Sequence, residues 1–193
     1  MGQTPPMRHP KLFERANSVL VVVDIQAPFL QPVVSKETIV ERSRFLIRCA
    51  RILDIPILAT LQYATKMGGM IPEIAEVLPE SCVPADKLCF SSFGAAAFAR
   101  SLQETGRRQV VMCGIETHIC ICQTVLDLIH AGYTVGVPFD AVSGRSAAAH
   151  EAALRRLDNA GAVIASAEGV VYEWLYQSGT PEFKQVLEIV KAR

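Results

Sequence analysis

A chain of 193 residues with 19 basic and 19 acidic side chains carries no net charge, so it offers no electrostatic footprint for nucleic acid or for an anionic membrane surface. Half of its residues are hydrophobic, which supports one self-sufficient core of ordinary domain size without disulfides or a structural metal. Its six cysteines form no CxxC pair, and reduced thiols in a cytoplasmic setting are the expected state.

The first residues, Met1 to Pro10, contain no apolar stretch of the kind a secretory signal needs, and Pro6 stands where a myristoylation pattern requires Ser or Thr. Arg8, Lys11 and Arg15 give a faint organelle-import character that Pro5, Pro6 and Pro10 weaken, so import stays open. Residues 1–17 read as a flexible arm ahead of one domain, 18–193. No apolar run is long enough to span a bilayer.

Ser18 to Asp24 is a continuous β-branched run, typical of a strand buried on both faces. Lys36 to Leu53 follows as a helix, with Ile39, Phe45, Leu46, Cys49 and Ile52 at three- and four-residue spacings. Pro56 to Leu61 is the second strand, and Gln62 to Gly69 a loop with Gly68 and Gly69 at its tip. Ala96 to Glu104 is helical and stops at Gly106. Gln109 to Ile115 is another buried strand, Thr117 to His130 a helix ended at Gly132, and Tyr133 to Pro138 a strand. Ala147 to Asn159 is an Ala-rich helix ended by Gly161, and Ala162 to Ala165 the last strand.

This alternation predicts a doubly wound, Rossmann-like α/β fold: a six-stranded parallel sheet with helices on both faces and right-handed crossovers. Ligands in such sheets bind beyond the carboxyl ends of the strands. Asp24 closes the first strand, and Glu116 to Cys120 follow another.

Cys120 falls in the first turn of its helix if Thr117 is the N-cap, where free backbone N–H groups and the helix dipole favour a thiolate. It lies off the apolar face formed by Ile121, Val125, Leu128 and Ile129, whereas Cys122 reads as core. Asp24 either caps a turn or projects into the crevice, where it would exchange protons with a thiol. Lys87, by its surroundings alone, is a solvated loop lysine. His118 stands two residues before Cys120 and points elsewhere on the helix. His9, His130 and His150 form no metal-ligand spacing, and the phosphate-cradling patterns GxGxxG and GxxxxGK(S/T) are absent.

Three segments together resemble the isochorismatase-like cysteine hydrolases, a superfamily that includes nicotinamidases, N-carbamoylsarcosine amidases and isochorismatases. They are Val21 to Gln26 (VVVDIQ), Asp86 to Phe93 (DKLCFSSF) and Cys113 to Cys120 (CGIETHIC). The likeness continues through Gln123 to Leu128 and Asp140 to Arg145, and is strongest to the isochorismatase-domain-containing subgroup. The resemblance implies a nucleophile at Cys120, an acid/base carboxylate at Asp24 and a lysine at Lys87. It also implies a cis peptide at Ile115–Glu116 and an oxyanion hole formed by the backbone N–H groups of Glu116 and Cys120. Gln26, Tyr63, Phe90 and Phe93 are the expected pocket residues. Subunit pairing near the site, as a dimer or larger homo-oligomer, is a further implication.

Two departures narrow the chemistry. Nicotinamidases carry an Asp-x-His-type metal site after the second strand, and Thr60 to Gly69 contains neither His nor Asp, so no metal or other cofactor is expected. Isochorismatases that cleave a vinyl ether lack the cysteine, so Cys120 points to covalent hydrolysis of a small amide or carbamoyl compound. A non-catalytic interaction protein on an inherited fold, and a redox thiol protein pairing Cys120 with Cys122, remain as rivals. Helical geometry at i,i+2 turns those two thiols apart.

Overall fold

The computed structural model describes residues 8–192. Seven strands, β1 (Ser18–Val23), β2 (Ile57–Gln62), β3 (Ala85–Lys87), β4 (Gln109–Ile115), β5 (Thr134–Pro138), β6 (Val142–Ser143) and β7 (Val163–Ala165), form one sheet. Their order is β3-β2-β1-β4-β5-β7, and every pairing is parallel. The fold is the expected doubly wound α/β sheet, with seven strands in place of six. Neither β3 nor β6 was assigned from the sequence; β6 is a two-residue piece that pairs with Gly114 and Ile115 after β5 has parted from β4 beyond Val111.

Nine helices connect or flank the strands: α1 (Ala27–Leu30), α2 (Lys36–Ile52), α3 (Ala64–Met67), α4 (Pro72–Ala75), α5 (Ala96–Glu104), α6 (Cys122–His130), α7 (Ala147–Asn159), α8 (Ala167–Leu175) and α9 (Pro181–Lys191) among the described residues. Side chains of β1 alternate between two cores, as a two-residue period demands. Leu20 and Val22 join Phe45, Leu46 and Trp174 beneath α2, α8 and α9. Val19, Val21 and Val23 join Phe98, Val125, Leu128 and Leu157 beneath α5, α6 and α7. Both layers are apolar, which is why β1 and β4 read as unbroken hydrophobic runs rather than as alternating ones.

The α5 and α7 boundaries agree with expectation, and α2 ends one residue earlier. The elements the sequence reading did not assign are short or terminal. β3 has only three residues, while α8 and α9 lie beyond Ala165, the last position assigned. Both helices nevertheless carry hydroxyl N-caps: Ser166 Oγ accepts from the Gly169 N–H at 3.0 Å, and Thr180 Oγ1 accepts from the Phe183 N–H at 3.1 Å.

The arm expected at 1–17 needs correction where it is described; residues 1–7 lie outside the described residues. Residues 8–17 are docked. Phe13 is fully buried against Gly136, where a Cβ would stand only 2.5 Å from the ring. The Phe13 N–H donates to Glu173 Oε2 at 2.8 Å, and Arg15 pairs with Asp54 and Glu182.

The strand order reverses between β1 and β4, so the crevice at their carboxyl ends is the natural ligand position. Gly114 sets how closely these two strands end. Its φ is 117°, and a Cβ there would lie 2.1 Å from the Val23 carbonyl oxygen, so any side chain would force the strand ends apart.

Candidate active site

Three adjacent strands deliver polar groups to one point. The register pairs Val23 with Thr60, and Gln62 with Lys87, so the residues just past β1 and at the ends of β2 and β3 share one edge. Asp24 leaves β1 with a left-handed φ of 52° and is buried. Thr60 Oγ1 donates to Asp24 Oδ1 at 2.7 Å, and Lys87 Nζ donates to Asp24 Oδ2 at 2.7 Å. Lys87 is no solvated loop residue: it closes β3, and its side chain is wholly buried. Its ammonium also donates to Gln62 Oε1 at 2.6 Å and to the Phe90 carbonyl at 3.2 Å.

Cys120 comes from the other side of the switch point. The chain after β4 begins as a π-helical turn over Thr117–Ile121 and passes into α6 at Cys122, so the expected single helix starts with a wider turn. Within it the Ile119 and Ile121 N–H groups both donate to the Glu116 carbonyl. Cys120 is 7% exposed, and its Sγ stands 3.9 Å from Gln62 Oε1. The Asp24 carboxylate and the Lys87 ammonium both act on the charge of the thiol.

Burial pushes the Cys120 thiol up to about 12; the Asp24 carboxylate adds to the rise and the Lys87 ammonium opposes it. The expectation of a favoured thiolate is therefore corrected. Desolvation outweighs what the helix end and the lysine contribute, and the resting sulfur is protonated. Cys122 is buried in the core between β4 and α6, as its spacing implied. All six cysteines are free thiols.

The turn carrying Cys120 is anchored from three directions. Thr124 Oγ1 donates to the Cys120 carbonyl at 2.6 Å and accepts from the Ser92 N–H at 2.8 Å. Ser91 Oγ donates to Asp127 Oδ2 at 2.5 Å, which ties the segment after Lys87 to α6. On the far side, Glu116 receives the Arg145 backbone N–H at 2.8 Å and the Arg145 guanidinium through Nε and Nη2. Burial alone would raise the Glu116 carboxyl, but the hydrogen bonds and charge of Arg145 outweigh it and hold it below the usual range. The Ile115–Glu116 peptide is cis. His118 lies beside Gly144 rather than the thiol, and Thr117 Oγ1 pairs with His150 Nδ1 at 2.9 Å.

The four expected pocket residues have divided placements. Gln26 is buried and its amide is fully used within the protein: Oε1 accepts from the Gln62 N–H, and Nε2 donates to the Gln62 and Gly68 carbonyls. Phe93 packs edge-on against Tyr133 with ring centroids 6.1 Å apart. Phe90 is 53% exposed beside Leu88, just past Lys87. Tyr63 begins the loop after β2 with φ of 51°, its ring beneath Lys66 Nζ. Thr60, Gln62 and Arg145 were not singled out as site residues from the sequence, although Thr60 and Gln62 are polar residues two apart at the end of an apolar strand. Among the described residues no cluster of three or more His, Cys, Asp or Glu side chains is arranged to hold a metal ion. A separate cleft of about 1160 Å³, lined by Leu30, Arg44, Phe45, Arg48, Ile71 and Ile189, lies outside this group.

Comparison with known proteins agrees with this architecture. The isochorismatase domain profile matches residues 18–169. Isochorismatase domain-containing protein 2A of Mus musculus is 35% identical over 91% of this chain and 83% of its own length. The MAR1 ribonuclease of Caenorhabditis elegans superposes with a TM-score of 0.88 at 34% identity, covering 93% of this chain and 92% of its own. The YcaC gene product of Escherichia coli, described as an octameric hydrolase of unknown specificity, superposes at 0.86 with 20% identity over 95% and 92%, a likeness of fold. With a profile match running from β1 to the start of α8 and relatives aligned over nine-tenths of its length, this chain belongs to the isochorismatase domain family and has its hydrolase fold.

Proposed function

We propose that the protein is a metal-independent cysteine hydrolase that cleaves a C–N bond in a small amide or carbamoyl compound through an acyl-enzyme on Cys120. The observation that carries this reading is a buried thiol joined through Gln62 Oε1 to a buried carboxylate–ammonium pair at the switch point of a parallel sheet.

The thiol's burial decides how the first step runs. With burial pushing its titration up to about 12, a free thiolate at neutral pH is strongly disfavoured. Proton loss therefore accompanies attack. As Cys120 Sγ bonds to the carbonyl carbon, its proton passes to Asp24, and the former carbonyl oxygen is held by the N–H groups of Glu116 and Cys120. Collapse breaks the C–N bond, and Asp24 gives its proton to the departing nitrogen. Water then attacks the acyl carbon, giving a proton to Asp24. The acid leaves, and the proton returns from Asp24 to sulfur. Lys87 holds the carboxylate in place and offsets charge as sulfur becomes anionic.

No cofactor takes part. The protein works in a reducing, cytoplasmic compartment, where its free thiols persist. It assembles as a dimer or larger homo-oligomer, like the octameric fold neighbour, with exposed Leu88 and Phe90 bringing apolar surface beside the site. Among the described residues no helix is long and apolar enough to cross a membrane.

Ribonuclease action is the second reading, raised by the 34% identity to the worm protein described as a ribonuclease. Charge argues for the amide. The chain is neutral overall, and Lys87 and Arg145, on either side of Cys120, are each paired with a carboxylate. A panel of small amides, carbamoyl compounds and a single-stranded RNA, assayed with wild type and Cys120→Ala, tests both. Amide turnover that needs Cys120, with an acyl mass trapped on its peptide, is expected. Undiminished turnover in Cys120→Ala would overturn the reading.

A further inference from the structure

Gln62 stands between the two halves of the site without a role in the mechanism above. Its backbone is clamped by Gln26, whose Oε1 accepts from the Gln62 N–H at 2.7 Å and whose Nε2 donates to the Gln62 carbonyl at 3.2 Å. Its side-chain Nε2 donates to the Leu88 carbonyl at 2.9 Å, while Oε1 receives Lys87 Nζ at 2.6 Å and faces Cys120 Sγ at 3.9 Å. That orientation has no workable alternative. Turning the amide over would set an NH2 group against an ammonium and an oxygen against a carbonyl.

An ammonium has three N–H bonds to give. Lys87 directs its own at Asp24 Oδ2, Gln62 Oε1 and the Phe90 carbonyl, with the Cys89 carbonyl a longer fourth neighbour at 3.4 Å. All four of these acceptors are oxygens. Gln62 Oε1, an acceptor, stands in hydrogen-bond contact with Cys120 Sγ at the long end of sulfur hydrogen bonding. Such an oxygen attracts an S–H and repels an S⁻.

We propose that Gln62 is a positioning residue for the nucleophile: its side-chain oxygen keeps the proton on Cys120 and engages the Lys87 N–H that would otherwise serve the thiolate. The proposal rests on the hydrolase reading only in naming Cys120 the nucleophile. When attack sends the thiol proton to Asp24, the S–H···O contact is lost, and it re-forms when the proton returns from Asp24 to sulfur. Between turnovers the same arrangement protects a cysteine that would otherwise be open to alkylation and oxidation.

The test reads the thiol rather than turnover. In a Cys89→Ser background, which removes the exposed thiol, iodoacetamide labelling of the Cys120 peptide is followed by mass at pH 8. Gln62→Met keeps the side-chain length and removes the acceptor, and should label about tenfold faster, as for a fall of about one pH unit in thiol titration. Gln62→Glu places an anion beside the sulfur and should label several-fold slower. A merely structural role would loosen the site and speed both. Unchanged or slower labelling of Gln62→Met, or acceleration of both variants alike, overturns the proposal. If Gln62→Met does not fold, slower labelling of Gln62→Glu supports it, and unchanged labelling overturns it. Turnover in Cys120→Ala is scored separately, so failure of the hydrolase reading leaves these rates interpretable.

Discussion

Two carboxylate–cation pairs flank Cys120, and they differ in what surrounds them. Asp24–Lys87 is sealed, its side chains 3% and 0% exposed, and is completed by Thr60 and Gln62. Glu116–Arg145 joins a carboxylate 5% exposed to a guanidinium 57% exposed, so water screens one side. The first pair has no solvent to fall back on, so a proton moved within it is felt at the sulfur. The second holds the turn after β4 against the segment before α7 and feels the chemistry weakly. On the proposed reading the same charges serve reaction in one place and anchoring in the other, and burial makes the difference.

The largest effect should come from the sulfur that faces the sealed pair. Cys120→Ala should lower turnover at least a thousandfold while shifting the urea midpoint little, as steady-state rates and unfolding curves would record. Next is Lys87→Met, which strands a buried carboxylate and should cost about 3 to 5 kcal/mol in urea unfolding. Adding Asp24→Asn to Lys87→Met should return part of that loss; a double variant no more stable than Lys87→Met would mean the pair is not coupled as its contacts imply.

Arg145→Ala should cost only about 1 kcal/mol, the contrast on which the comparison stands. Its cost should also depend on pH. Arg145 holds Glu116 below its ordinary value of 4.5, so the stabilisation is present above that pH and fades as pH falls through the lowered folded value. Unfolding curves of the two proteins should therefore converge in acid; divergence there would reverse the assignment. Cys122→Ala, which removes a core sulfur, should cost a similar amount, about 1 kcal/mol, with turnover little changed.

The elements that were legible in the sequence are those whose pattern is long or punctuated. β1 and β4 are strands of six and seven residues, apolar apart from the polar residue that opens each and Gly114, and α5 and α7 are stopped by Gly106 and Gly161. β3 escaped because three residues carry no period, and Lys87 consequently looked like a solvated charge until the resemblance gave it a role. Gln62 escaped as a site residue for a related cause: a polar residue ending a strand reads as the start of a loop. Gln26 stood out through its neighbours in a motif, yet its amide is closed off by backbone partners.

Sequence alone determined the alternation of buried strands and amphipathic helices, hence the parallel sheet and the edge where ligands approach, because these depend on local period and composition. It also brought Asp24, Lys87 and Cys120 forward as candidates through short motifs. Only tertiary structure decided their electrostatics. Burying the Lys87 side chain at the end of the edge strand β3 turned a lysine from a surface charge into a partner of Asp24, and burying the sulfur reversed the expected thiolate into a thiol held at about 12. Desolvation depends on everything that packs around a group, and that surrounding is assembled from segments as distant as residues 24, 62, 87 and 120.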